Sequence, residues 1–99
     1  MLYVIVSDDV TNSMPLRAKA RPQHIARLEK LRDKGKLIIA GPCPAIDAPD
    51  PGPNGFTGSI VIAEFNDIEE AKQWADSDPY VEAGVYNSVT VKPFKRVLP

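Results

Sequence analysis

The chain has 99 residues, 43% of them apolar and 25% charged, with a formal net charge of −1. That length makes a single domain, residues 1–99, with a modest core, and the charge balance argues against nucleic acid or an anionic membrane as partner. One cysteine excludes an internal disulfide, and one cysteine with one histidine falls short of a zinc ligand set.

Leu2 to Val6 is an uninterrupted, β-branched apolar run ended by Ser7-Asp8-Asp9, which predicts a strand. Its apolar run is too short, and too poor in basic residues, for a signal peptide, and no segment approaches bilayer-spanning length. A cytoplasmic protein is expected. Residues 10–20 read as a polar connection in which Arg17, Lys19 and Arg21 form a basic strip. Arg21-Pro22-Gln23-His24-Ile25-Ala26-Arg27-Leu28 then reads as a helix start, with Pro22 at its opening position. Ile25, Leu28 and Leu31 recur at helical spacing, and Gly35 is the stop. This places His24, the only histidine, in the first turn and at the edge of the inward face. An imidazole there is a candidate acid or base.

Leu37 to Ala40 is the second strand, closed by Gly41-Pro42. Residues 42–58, PCPAIDAPDPGPNGFTG, hold five prolines and three glycines and predict a long connection, of the kind that lines or covers a site. Asp47 and Asp50 are turn formers there, and Cys43 has no activating neighbour. Ser59 to Phe65 is the third strand. Asn66 or Asp67 caps a second helix, whose Ile68, Ala71, Trp74 and Ala75 form an apolar stripe and which ends before Pro79. Tyr80 to Gly84 is a connecting turn, and Val85 to about Val91 is the fourth strand, closed by Pro93.

The order β-α-β-β-α-β predicts an α+β, ferredoxin-like sandwich with a four-stranded antiparallel sheet in the order 4-1-3-2. LYVIV and IVIA then lie at the centre, apolar on both faces, while helices cover only one. A homodimer pairing the open sheet faces supplies the second layer. The topology also gathers His24, Asp8, Asp9, the 42–58 loop, Ser59, Asp78 and Tyr80 at one end of the sheet. One histidine, several carboxylates, a hydroxyl and a long loop make a candidate small-molecule site.

Several short motifs share one pattern: Arg21-Pro22-x-His24, Ala40-Gly41-Pro42, Gly55-Phe56-Thr57-Gly58-Ser59, Trp74-Ala75-Asp76, Asp78-Pro79-Tyr80, Ala83-Gly84-Val85-Tyr86 and Val91-Lys92-Pro93-Phe94-Lys95. In order and spacing, over nearly the whole chain, they resemble the YciI-like (YCII-related) family. The resemblance implies a dimeric α/β-barrel type of assembly and a His–Asp pair at the active centre. The histidine maps onto His24 and the aspartate onto Asp78, with Asp9 as the alternative partner.

The expected chemistry is cofactor-independent acid–base work on a small substrate, cyclic ones included: proton abstraction, isomerisation or elimination. His24 and Asp78 are the expected catalytic pair, with Arg17, Arg21, Ser59 and Tyr80 around the substrate. In the first turn of a helix, the macrodipole would favour neutral imidazole and Asp78 the imidazolium. The rival reading is a non-catalytic ligand-binding or interaction module on the same dimer. RNA binding is not expected, because base-stacking positions hold Ser59, Val61 and Glu64 and the chain is not basic.

Overall fold

The computed structural model describes all residues 1–99. Strand β1 (Leu2–Asp9) leads into helix α1 (Met14–Asp33), then β2 (Leu37–Pro44), β3 (Phe56–Glu64), α2 (Ile68–Asp76), the one-turn helix α3 (Pro79–Glu82) and β4 (Tyr86–Phe94). The sheet is antiparallel with the order β2-β3-β1-β4, and the fold is ferredoxin-like.

Alternation along the central strands sorts residues to two faces. Tyr3, Ile5 and Ser7 of β1, with Ser59, Val61 and Ala63 of β3, are buried beneath the helices. Leu31, Phe65, Ala71 and Ala75 complete that core, and Trp74 packs half-buried against it. The small side chains of Ala71 and Ala75 let α2 lie close on the sheet. Its start matches expectation: the Asp67 side chain accepts a hydrogen bond from Glu70 N at 2.8 Å, satisfying a donor that helical bonding leaves free. On the other face Val6, Ile39 and Ile60 stay exposed. Gly58 permits the close pairing of β1 with β3, since a Cβ there would stand 2.2 Å from the Ser7 carbonyl oxygen.

The structure corrects several boundaries: β1 runs on to Asp9, and β3 begins at Phe56 where Ser59 was expected. Helix α1 begins at Met14, with Pro15 in its first turn, so most of the segment read as a polar connection forms the opening turns of the helix. Pro22 is an internal residue, and His24 lies mid-helix, where the N-terminal dipole does not act. The reason for the early start is the inward face: its buried residues are Arg17, Ala20, His24 and Leu31. Two of the four are polar, so apolar periodicity does not mark the helix.

Strand β2 runs on through Pro42 to Pro44, and β4 runs through Pro93 to Phe94. These are the two edge strands, where a missing N–H can face solvent. The proline-rich connection is consequently shorter than expected, with residues 45–55 linking β2 to β3. Within it, Asp50 forms a turn by accepting from Gly52 N. Finally, residues 79–82 form the helical turn α3 where an irregular turn was expected. No helix is long and apolar enough to cross a membrane.

Candidate active site

Two buried hydrogen-bonded pairs stand side by side at the end of the sheet where β1 finishes and β3 begins. The first is built on Asp9, the last residue of β1. Its carboxylate accepts from Arg17 Nε at 2.6 Å and Nη2 at 3.0 Å, a bidentate pair, and from Ser13 Oγ at 2.6 Å. Arg17 Nη2 also donates to the Gly58 carbonyl at 2.9 Å and to Ser59 Oγ at 3.0 Å. Helix α1 is thereby bolted to β1 and β3 through one guanidinium. Burial pushes Arg17 down, but the hydrogen bond and charge of Asp9 outweigh it and hold the guanidinium above its ordinary range.

The second pair is His24 with Asp78. His24 Nδ1 lies 2.9 Å from both Asp78 oxygens, and both side chains are buried. A carboxylate only accepts, so Nδ1 carries the proton of the neutral ring and Nε2 keeps its lone pair. Asp78 is itself fixed: it caps α3, accepting from Tyr80 N at 2.8 Å, and Pro79 holds the next residue's φ. The Tyr80 ring stacks on the imidazole with centroids 3.9 Å apart and planes within 5°. The histidine is held at its edge by Asp78 and on its face by Tyr80.

These groups surround a cavity of about 230 Å³ between α1 and the β2–β3 half of the sheet, lined in part by Arg17, Arg21, His24, Ser59 and Tyr80. Leu28, Ala40 and Val61 make its apolar floor. Nε2 of His24 bonds to no protein group. Ser59 Oγ accepts from Arg17 and, at 3.2 Å, from the Tyr86 hydroxyl. Both of its acceptor positions are then filled, so its own O–H is left to donate towards a ligand. Arg21 is exposed at the cavity and makes no ion pair. Burial pushes the Tyr86 phenol up to about 12, against the opposing effect of the hydrogen bond it shares with Ser59. Burial also raises Tyr80, partly offset by Arg17 and Arg21.

His24, Asp78, Asp9, Arg17, Arg21, Ser59 and Tyr80 meet at the site as expected, whereas Asp8 faces the other side of the sheet and accepts from Ser88 Oγ at 3.2 Å. Asp9 is engaged by Arg17 and Ser13, so the histidine's carboxylate is Asp78. Arg17 lines the cavity with its Nε and Nη2 donors already committed to protein groups. The 45–55 segment does not line the cavity, and the expected cover is absent from that wall.

Two residues escaped the sequence reading. Arg27 places Nη1 4.0 Å from Asp78 Oδ2, donates from Nη2 to the Trp74 carbonyl at 2.7 Å and lies over the Trp74 ring. Burial lowers its pKa, and Asp78 offsets part of this. Its position three residues after His24, on the same helix face, was the available signal. Tyr86 faces the site because β1 and β4 shift register between Asp8 and Asp9, pairing Asp9 with Tyr86. No sequence signal marks that bulge.

The model of the YCII-related domain matches residues 1–95. The chain belongs to the YCII-related family. It is 59% identical over 97 residues to Protein YciI of Escherichia coli O6:H1, covering 98% of this chain and 99% of that one. An uncharacterized protein of Haemophilus influenzae is 54% identical over the same shares. Among solved structures, 5-chloro-2-hydroxyhydroquinone dehydrochlorinase (TftG) from Burkholderia phenoliruptrix AC1100, in complex with 2,5-dihydroxybenzoquinone, superposes with a TM-score of 0.84. Its identity is 28%, with 96% of this chain and 94% of that chain covered. An antibiotic biosynthesis monooxygenase shares the fold at a TM-score of 0.51 and 18% identity, covering 99% of this chain and 100% of its own.

Proposed function

We propose that this YCII-related protein is an acid–base enzyme acting on a small oxygenated ring, with His24 as the proton-transferring group and Asp78 as its orienting partner. The observation that carries the reading is the pairing of His24 Nδ1 with a buried carboxylate while Nε2 stays unbonded beside a cavity. The cavity lies below the range of about 300–1,000 Å³ typical of drug-sized ligand sites, which favours a single-ring molecule. Likeness to a dehydrochlorinase structure holding a dihydroxybenzoquinone supports the same class.

In the proposed step, Nε2 removes a proton from the ring or from a ring hydroxyl. The electron pair left behind forms a new π bond, and a leaving group on the ring departs with its own bonding pair. Without a leaving group, reprotonation at a second atom completes an isomerisation. The imidazolium formed is stabilised by Asp78 at Nδ1. Ser59 O–H and Arg21 hold the oxygen on which negative charge develops. No step requires a redox change. The protein works as a homodimer, with the apolar face of Val6, Ile39 and Ile60 covered by its counterpart.

The test is chloride release from 5-chloro-2-hydroxyhydroquinone and related halogenated hydroxy-arenes, with solvent deuterium exchange into their dehalogenated analogues. Wild type is expected to turn over at least one of these, and His24→Ala to lose about 100- to 10,000-fold. Turnover indifferent to His24→Ala would remove the histidine from the chemistry. Binding without turnover, altered by His24→Ala in affinity alone, would make the protein a ligand-binding module instead.

A further inference from the structure

A second cleft, of about 250 Å³, lies away from the His24 cavity, between the C-terminal half of α1, the start of β2 and the helix α2. Arg27, Lys30, Lys34 and Lys36 line it, set against a single carboxylate, Glu70. Its apolar wall is Leu31, Phe65 and Trp74, with the rings of Phe65 and Trp74 tilted against one another at 5.8 Å.

None of the three lysines makes an ion pair; every salt bridge in the protein belongs to Arg17, His24, Arg27 or Arg32. Glu70 makes no salt bridge with them; its Oε2 accepts from Asn66 Nδ2 at 2.7 Å. The carbonyl end of α1 accounts for basic residues on its last turn, because cations there face the negative end of the dipole. It does not account for Lys36 beyond the helix, or for the half-buried Trp74 ring beside them. Three unpaired lysines from the end of α1 and the turn that follows, with Arg27 beside them, surround one concave space and favour an anion there.

We propose that this cleft is a second ligand site, taking a small organic anion whose charged end meets Lys30, Lys34 and Lys36 and whose ring lies against Trp74. An aromatic phosphate or carboxylate has both parts. The site is independent of the His24 cavity in its lining, the two sharing no residue.

Trp74 is the only tryptophan, so its fluorescence reports this cleft alone. Phenyl phosphate would be titrated into the wild-type protein, with inorganic phosphate as the ring-free probe. A saturable change in Trp74 emission is expected at submillimolar to millimolar phenyl phosphate. Inorganic phosphate should bind more weakly, and the affinity should fall about tenfold as salt shortens the Debye length from about 30 to about 8 Å. Lys34→Glu with Lys36→Glu, both side chains away from the core, should abolish the response, while Arg21→Glu at the other cavity should leave it intact. No saturable change, a response unaltered in the double variant, or one lost in Arg21→Glu would each overturn the proposal. Circular dichroism of both variants separates loss of binding from loss of fold.

Discussion

The Tyr80 ring lies flat on the imidazole of His24, 3.9 Å away and within 5° of parallel, while the Tyr80 amide donates to the carboxylate that holds the same histidine. Residues 78–80 thus fix His24 in two directions at once. Tyr80 is 2% exposed, and it also meets Tyr86 edge-on at 5.6 Å. Truncation therefore leaves a cavity as well as a loose histidine. Tyr80→Ala is expected to destabilise the protein by about 3–5 kcal/mol, and Tyr80→Phe by far less because the stack survives. Urea denaturation midpoints check both. If Tyr80→Ala and Tyr80→Phe lose the same small amount, the ring is not a structural clamp.

The two aspartates at this end of the sheet should separate by phenotype. Asp9 neutralises a guanidinium that is 8% exposed, being itself 1% exposed. Asp9→Ala would strand the Arg17 charge in the interior, at a cost of about 3–5 kcal/mol. Asp78→Asn keeps the shape of its site but removes the charge that stabilises an imidazolium. It should depress turnover while leaving the fold intact. Paired measurements of denaturant midpoint and rate on the two variants decide; a reversal of the two phenotypes would exchange the roles.

Alkaline stability should follow Tyr86. Its phenol ionises near pH 12 in the folded protein, against about 10 in an unfolded chain. Between those values the unfolded state has lost a proton that the native state keeps, so unfolding becomes easier as pH rises. The contribution is complete below about pH 10 and is lost by the time the native phenol ionises. Tyr86→Phe should flatten the decline in stability across that window. A wild-type profile already flat there would mean the Tyr86 hydroxyl is better hydrated than its burial implies.

The open sheet face predicts assembly. Val6 pairs with Ile60 across β1 and β3, and both are more than a third exposed. A charge introduced at their centre would have to be buried in a sheet-to-sheet dimer. Val6→Asp should therefore shift the mass seen by light scattering from two chains to one, with circular dichroism unchanged. A wild-type protein that is already a monomer at micromolar concentration would exclude this mode of assembly.

How far each feature was legible depends on what kind of interaction makes it. Strand alternation, the Asp67 cap and the order of elements are local or periodic, and they fix the sheet order and the end of the sheet at which the site forms. Apolar periodicity fails over Met14–Arg21 because the inward side chain there is Arg17, buried by virtue of Asp9 eight residues earlier. Pro42 and Pro93 read as strand ends because a sequence does not say which strands lie at the edge. The pairing of His24 with Asp78 spans 54 positions, and the choice between Asp78 and Asp9 rests on which carboxylate Arg17 and Ser13 already occupy. The inward turn of Tyr86 needs a register shift between two strands. The fold class and the candidate acid–base residues are readable from the chain alone. Their partners are not, because His24 meets Asp78 across 54 positions and Arg17 meets Ser59 across 42, and those distances exist only once the sheet has closed its register.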